Sequence, residues 1–465
     1  MTVTGPATDV STIPATVARL RAAFDSGRTT PLEWRRAQLH RLRTLVTEHE
    51  RELLDALAAD VGKPPIEAYA ADLGFVTGDV DLALKHLDRW TRPRRVRTPM
   101  TSQPAKSSIV REPLGVVLVI APWNYPIQLQ LAPMVAAIAA GNAVVAKPSE
   151  VSPRCSALLG RLIPEYLDPE AIAVVEGGVT ETTALLDERF DHIFYTGNGR
   201  VARVVMAAAA RNLTPVTLEL GGKSPTIVAR DAKIELAARR IAWGKFLNAG
   251  QTCIAPDYVL VDRAVEEPLL DALASTVRKF YGADPRHSPD YARIVNDTHF
   301  RRLEKLLHDG RTVVGGETYE AARYIAPTIL ADVSPDAPVM DEEIFGPILP
   351  VIAVDGVGEA ISFVRERDKP LALYVFTESD EIADLAVAET SSGGVCVNAT
   401  LLHIANTELP FGGVGESGMG AYHGESGFET FSHHKSVMRR STRLDPPVMY
   451  PPYRRWKERV LRRVL

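Results

Sequence analysis

The 465-residue chain is 46% hydrophobic and 24% charged, ordinary values for a soluble globular protein, and is long enough for two or three domains. A net charge of −5 speaks against nucleic-acid binding by the chain as a whole. Three scattered cysteines, Cys155, Cys253 and Cys396, exclude a disulfide framework, and no cluster has zinc spacing.

The opening MTVTGPATDVSTIP lacks the basic and apolar regions of a signal peptide. No stretch of roughly 18 apolar residues reads as a membrane span. Together with the free cysteines this leads us to expect a reducing, cytoplasmic setting.

Helical periodicity through RRAQLHRLRTLVTEHERELLDALAAD predicts long helices over 15–60, ended by Gly62, Pro64 and Pro65. A further helix is expected across 66–90, and the prolines of TRPRRVRTP break it. A β/α alternation begins at 113. GVVLVI, AVVAKP, AIAVVEG, DHIFYTG and PVTLELGG read as five short apolar strands, and helical segments separate them. Gly141 closes the first of those helices. This pattern predicts an α/β fold with a doubly wound parallel sheet that receives a nucleotide at its strand C-termini.

A second α/β unit starts near 221, with a helix around 265–280 and strands near 348–353, 371–377 and 393–398. Strand-like stretches near 97–111 and 430–440 lie outside both units. The terminal PPYRRWKERVLRRVL is basic and amphipathic. It reads as a solvated or packed helix, the alternative being contact with an anionic membrane surface.

Cys253 in GQTCIAPD sits among small and polar residues behind Gly250, which suggests an exposed turn. A thiol there serves as a nucleophile if its surroundings favour the thiolate. Glu219 in TPVTLELGG has apolar neighbours, so burial should raise its pKa toward the range useful to a general base. Cys155 and Cys396 fall on apolar patterns and read as core thiols. His433 and His434 are adjacent on a strand, so they point to opposite faces and do not suggest a metal.

PWNYP, KPSE, YTGN, LELGG, GQTCIAPD, EEIFGPILP and LPFGGVGESG follow one another along the chain. In this order and spacing they resemble the aldehyde dehydrogenase superfamily over about 15–455. The single cysteine of GQTCIAPDYV and the ending GMGAYHGESGFETFSHHKSV resemble its class 3 branch of fatty and aromatic aldehyde dehydrogenases.

The resemblance implies a dinucleotide-binding domain over 1–96 and 112–220 and a catalytic domain over 221–425. Bridging strands that build a homodimer would lie at 97–111 and 426–442, and a basic tail at 443–465. It implies Cys253 as nucleophile, Glu219 as the base for thioester hydrolysis, and the Asn124 amide with the Cys253 backbone N–H as oxyanion donors. Glu343 is the rival base, but the resemblance assigns it to the nicotinamide ribose and places Phe345 beside the nicotinamide.

Lys147 and Glu150 would read the adenosine ribose, although KPSE alone is only a strand-to-helix turn. Trp123 and the turn Thr196, Gly197, Asn198, Gly199 complete the expected cofactor contacts. That turn departs from the family at Ala202, where a second glycine is usual. Tyr125, Trp243 and Ile404 match positions that line the aldehyde tunnel of class 3 relatives.

The expected activity is NAD(P)-dependent oxidation of medium- to long-chain aliphatic or aromatic aldehydes to acids. NAD is expected to be preferred and NADP accepted, with no metal. The alternatives are an acyl-CoA-forming relative, against which Glu219 argues, and a catalytically silent relative that only binds or builds structure.

Overall fold

The computed structural model describes residues 7–464. Helices Ile13–Asp25, Leu32–Glu48 and Glu50–Val61 form the start, and left-handed Gly62 ends the third of them. The next helical stretch is interrupted: Pro65–Ala68 leads through a π-helical turn, Tyr69–Leu73, into Gly74–Thr91.

The five expected strands form one sheet. Its order is Ile172–Val174, Ala143–Lys147, Val116–Ile120, His192–Thr196, Val216–Glu219, all parallel. Their interiors are fully buried on both faces, which explains why they read as continuous apolar runs. The first strand lies at the centre, and the chain winds to one side and then crosses to the other. The switch point therefore falls between Val116–Ile120 and His192–Thr196, where an open α/β sheet binds its ligand. Asn124, Lys147, Thr196 and Glu219 all lie at or just beyond strand C-termini.

A second sheet has seven strands, in the order Arg311–Val314, Thr328–Ala331, Ile348–Val354, Tyr258–Asp262, Pro225–Val228, Ala372–Phe376, Gly394–Val397. The Cys253 loop runs directly into its central strand Tyr258–Asp262. A third sheet of three antiparallel strands joins Arg94–Val96, Ala105–Pro113 and Ser432–Arg440.

Two of the expected boundaries shift. The small sheet starts before 97 and runs past 111, because Arg94–Val96 pairs back onto Ser107–Ile109. Gly418–Met419, expected in the second unit, adds an antiparallel edge to the first sheet by pairing with Glu219 and Leu218. Helix Gly424–Thr430 then packs against helix Gln128–Ala140 of the first sheet's layer. Among the described residues no helix is long and apolar enough to cross a membrane.

Candidate active site

The segment that delivers Cys253 is held in an unusual backbone shape. Asn248, Ala249 and Gly250 have φ of 52°, 51° and 74°, three left-handed residues in succession. Such residues cost of order 1–3 kcal/mol each when they are not glycine and persist only where the surroundings over-determine them. Here the restraints are explicit. The Asn248 N–H donates to Glu67 Oε2 at 3.0 Å. Asn248 Nδ2 donates to the carbonyls of Asn124 and Gln251. Gln251 Nε2 donates to the Asn248 and Arg293 carbonyls, and Gln251 Oε1 accepts from Val295 N–H. Gly250 is required for a second reason: a Cβ there would lie 2.2 Å from the Gly346 carbonyl oxygen.

Cys253 is partly buried rather than on an exposed turn, packed against the core by this closure. Burial, then the charges of Glu343 and Glu219, push its thiol well above the usual range. The backbone N–H groups of Cys253 and Ile254 face the sulfur and offset this in part.

Asn124 is buried, and its Nδ2 donates to the Gln251 carbonyl at 3.0 Å. An amide nitrogen carries two hydrogens, so one remains for an oxyanion formed at Cys253. The Asn124 carbonyl accepts from Lys63 Nζ at 3.0 Å and from Asn248 Nδ2 at 3.0 Å. Tyr125 follows, with its hydroxyl 2.6 Å from Thr252 Oγ1, and Lys63 Nζ sits 3.8 Å from the centre of its ring.

Glu219 ends the strand Val216–Glu219 with only 2% of its surface exposed, as its apolar flanks implied. Neither carboxyl oxygen has a hydrogen-bond partner among the described residues. Burial raises its pKa well above the usual carboxyl range.

Glu343 approaches from the second sheet. A Cβ on Gly221 would lie 1.9 Å from Glu343 Oε2, so the first glycine after LEL is what lets this carboxyl reach the strand end. Burial and the charge of Asp257 push Glu343 up to about 8. Its loop is clamped: Lys223 Nζ binds Asp257 and the carbonyls of Val339 and Glu342, while Asp257 Oδ1 accepts from Ile344 N–H. Phe345 has φ of 49° and meets Trp123 edge to face at 5.4 Å.

At the cofactor end, Lys147 is buried and its Nζ donates to the Pro148 carbonyl, 3.6 Å from Glu150 Oε2. Glu150 itself is half exposed. Thr196 Oγ1 is buried without a partner among the described residues. Asn198 caps helix Gly199–Ala210 by accepting from Val201 N–H. Gly197 is needed because a Cβ there would meet the Tyr195 hydroxyl at 2.2 Å. Ala202 is accommodated on the buried side of the helix.

Of the expected tunnel residues, Tyr125 abuts the Cys253 loop through Thr252. Trp243 lies 39% exposed near the end of helix Ile234–Phe246, and Ile404 lies partly buried in the turn Leu402–Ala405.

Sequence reasoning missed the supports: Lys63, Glu67, Asp72, Asn248, Gln251, Lys223, Asp257 and Lys245. Lys245 is fully buried, and its Nζ has no hydrogen-bond partner among the described residues. Burial pushes it down to about 8, opposed by the charges of Asp257 and Glu343. Few of these residues carry a local signal, because most of their partners lie tens to more than a hundred residues away, and even Lys63 and Asp72 are nine apart. The exception is Asn248 with Gln251, whose spacing suits a local turn.

The chain matches the Aldehyde dehydrogenase family over residues 1–437. It is 50% identical over 445 residues to "Aldehyde dehydrogenase, dimeric NADP-preferring" of Mus musculus, spanning 95% of this chain and 98% of that relative. It is 49% identical over 439 residues to "Aldehyde dehydrogenase family 3 member B1" of Homo sapiens, spanning 94% of each. Among solved structures, the substrate-bound state of Staphylococcus aureus AldH superposes with a TM-score of 0.95 at 46% identity, covering 97% of this chain and 99% of that one.

Proposed function

The chain belongs to the aldehyde dehydrogenase family, among the family 3 relatives, and from this premise we propose how its residues oxidise an aldehyde and which aldehydes they take. It is an NAD(P)-dependent aldehyde dehydrogenase.

One observation carries the reading. Glu343 Oε2 lies against the Gly221 backbone, two residues beyond buried Glu219, and the charges of both carboxyls bear on the Cys253 thiol. Cys253 Sγ adds to the aldehyde carbon, and its proton leaves for a neighbouring carboxylate. The free hydrogen of Asn124 Nδ2 and the Cys253 backbone N–H stabilise the oxygen that becomes negative. The chemistry that bound NAD(P) would supply is a hydride acceptor for that carbon. Glu219 then takes a proton from the water that cleaves the Cys253 thioester, releasing the acid. Its two unpartnered oxygens suit this role better than the Glu343 carboxyl, which accepts from the Gly222 backbone N–H.

The cofactor fits the residues present. Thr196 offers an unpartnered buried hydroxyl, and Lys147 and Glu150 stand at the adjoining strand end. In this reading Glu343 would hold the nicotinamide ribose, with Phe345 and Trp123, which meet edge to face, beside it. The tunnel residues Tyr125, Trp243 and Ile404 favour apolar, medium- to long-chain or aromatic aldehydes. A homodimer through the three-stranded sheet is part of this reading, because Arg94–Val96 and Ser432–Arg440 are its open edges. A reducing cytoplasmic location suits the three free thiols. The exposed basic helix Arg455–Val464 leaves contact with an anionic membrane as the minor alternative.

Rapid mixing of benzaldehyde and NAD with two variants tests the chemistry. Cys253→Ala should form no NADH and no acyl-enzyme. Glu219→Gln should give a burst near one NADH per site, then slow turnover. A tenth of wild-type turnover in the first variant, or uniformly slow hydride transfer without a burst in the second, contradicts the assignment. Formation of acyl-coenzyme A rather than acid would favour the acyl-transferring alternative.

A further inference from the structure

The short stretch 63–72 grips the active site at two points. Lys63 donates to the main-chain carbonyl of Asn124. Four residues on, in helix Pro65–Ala68, Glu67 reaches the loop that carries Cys253. Its Oε2 accepts from the Asn248 N–H at 3.0 Å. Asn248 is fully buried, so without this carboxyl its N–H could not turn to water and would be an orphaned donor in the core. Asn248 is also the first of the three left-handed residues, so Glu67 pins the loop where its backbone strain begins.

From Asn248 the contacts continue to the oxyanion donor. Asn248 Nδ2 donates to the Gln251 carbonyl at 3.2 Å, and Asn124 Nδ2 donates to the same oxygen at 3.0 Å. The Gln251 backbone N–H and its Nε2 both return to the Asn248 carbonyl, at 3.1 Å and 3.0 Å. Asn248 and Gln251 thus move as one unit, and the Gln251 carbonyl joins that unit to Asn124. The amide of Asn124 is planar, so fixing one of its hydrogens on Gln251 also fixes the direction of the other. A shift of Asn248 carries the Gln251 carbonyl with it and turns the free hydrogen away from its target.

We propose that Glu67 is a positioning residue for acylation: its hydrogen bond to the Asn248 backbone holds the Cys253 loop where the Gln251 carbonyl aims the free Asn124 hydrogen at the aldehyde oxygen. The proposal rests on the reading of Asn124 as an oxyanion donor. Glu67 acts through Asn248 and Gln251 and needs no contact with the aldehyde or the cofactor. Burial raises the Glu67 carboxyl to about 7, against the Asn248 N–H and the charge of Lys63, which favour the carboxylate, while the charge of Asp290 adds to the rise. A carboxyl keeps an acceptor oxygen in either protonation state. The reach of the side chain, rather than its charge, is therefore what holds the loop.

The test is single-turnover stopped flow, with enzyme in excess over benzaldehyde and NAD saturating, so that NADH formation reports acylation alone. The enzymes are the wild type, Glu67→Gln and Glu67→Asp, each also carrying Asn124→Ala. Gln keeps the length and an acceptor carbonyl, whereas Asp keeps the charge but is one methylene too short. A donor misplaced by about 1 Å costs up to about 10²-fold in rate, so Glu67→Asp should slow NADH formation roughly tenfold or more. Glu67→Gln should stay within roughly threefold of the wild type, and calorimetry should give both variants the wild-type Kd for NAD. With Asn124→Ala in place, the Glu67→Asp penalty should shrink by roughly threefold or more, because both changes strike one oxyanion contact. A wild-type rate in Glu67→Asp, a Glu67→Gln enzyme as slow as Glu67→Asp, or an undiminished penalty beside Asn124→Ala would overturn the proposal. An Asn124→Ala enzyme that forms NADH at the wild-type rate would instead sink the oxyanion reading beneath it.

Discussion

Lys63 Nζ lies 2.7 Å from Asp72 Oδ2 with both side chains fully buried, and the same ammonium donates to the Asn124 carbonyl. Asp72 also accepts from Gln128 N–H, and it sits on the π-helical turn Tyr69–Leu73. A charge pair of this kind contributes little net stability compared with apolar packing, but removing one partner strands the other. Its use here is positional. It fixes the main-chain carbonyl of Asn124, which Asn248 Nδ2 also bonds, while the Gln251 carbonyl takes one hydrogen of the side-chain amide.

Lys63→Met should therefore destabilise the protein by about 3–5 kcal/mol in urea denaturation. Asp72→Asn added to it should recover part of that loss, because the stranded charge is gone. Full additivity of the two changes would show that the pair is not coupled.

Asn124→Ala should lower kcat by about 10²–10³, the usual loss for one oxyanion donor. Stopped-flow measurement of the NADH burst should place the loss in acylation. A raised KM at unchanged kcat would mean that Asn124 only positions the aldehyde.

Thermal stability should fall as pH rises from about 6.5 to about 8. Burial raises Glu67 and Asp79 to about 7 and Glu343 to about 8, and it pushes Glu219 up as well, so over this window the folded protein holds protons the unfolded chain has released. Stability falls with pH wherever the folded state binds more protons. Below the window the buried neutral histidines His192, His403 and His423 act in the opposite sense, and above it Lys245 does. Scanning calorimetry of the cofactor-free enzyme should show Tm dropping across this interval. A rising Tm there would contradict the buried, protonated carboxyls.

Cofactor choice should turn on Glu150. If Glu150 reads the adenosine ribose, its charge would face a 2′-phosphate, and buried Lys147 at 3.6 Å would offset it. Its half-exposed side chain is free to turn away, so both cofactors should be used, with NAD ahead in kcat/KM. Glu150→Gln should improve NADP relative to NAD. A wild-type preference for NADP, as the name of the Mus musculus relative states for that protein, would overturn the order. An unchanged ratio in the variant would remove Glu150 from ribose recognition.

The apolar strand runs were legible because a parallel sheet buries both faces, leaving GVVLVI and AVVAKP no polar alternation to hide in. Glu219 was legible as a buried carboxyl for the same reason: its flanks are strand interior. Cys253 was read as exposed because its neighbours are small and polar. Those neighbours are instead spent on closing the loop, with Gln251 and Asn248 bonded inward and Gly250 pressed against Gly346.

What the sequence determined by itself is thus local: where strands and helices begin, which carboxyl is buried, and which motifs mark the family. Only the tertiary structure decided that Lys63 and Asp72 hold Asn124, that Gly221 admits Glu343, and that Gly418–Met419 returns to pair beside Glu219. The physical reason is that local patterns report only how a segment divides between core and water. A buried charge or an orphaned hydroxyl finds its partner across the fold, and nothing in its own neighbours along the chain records which partner that is.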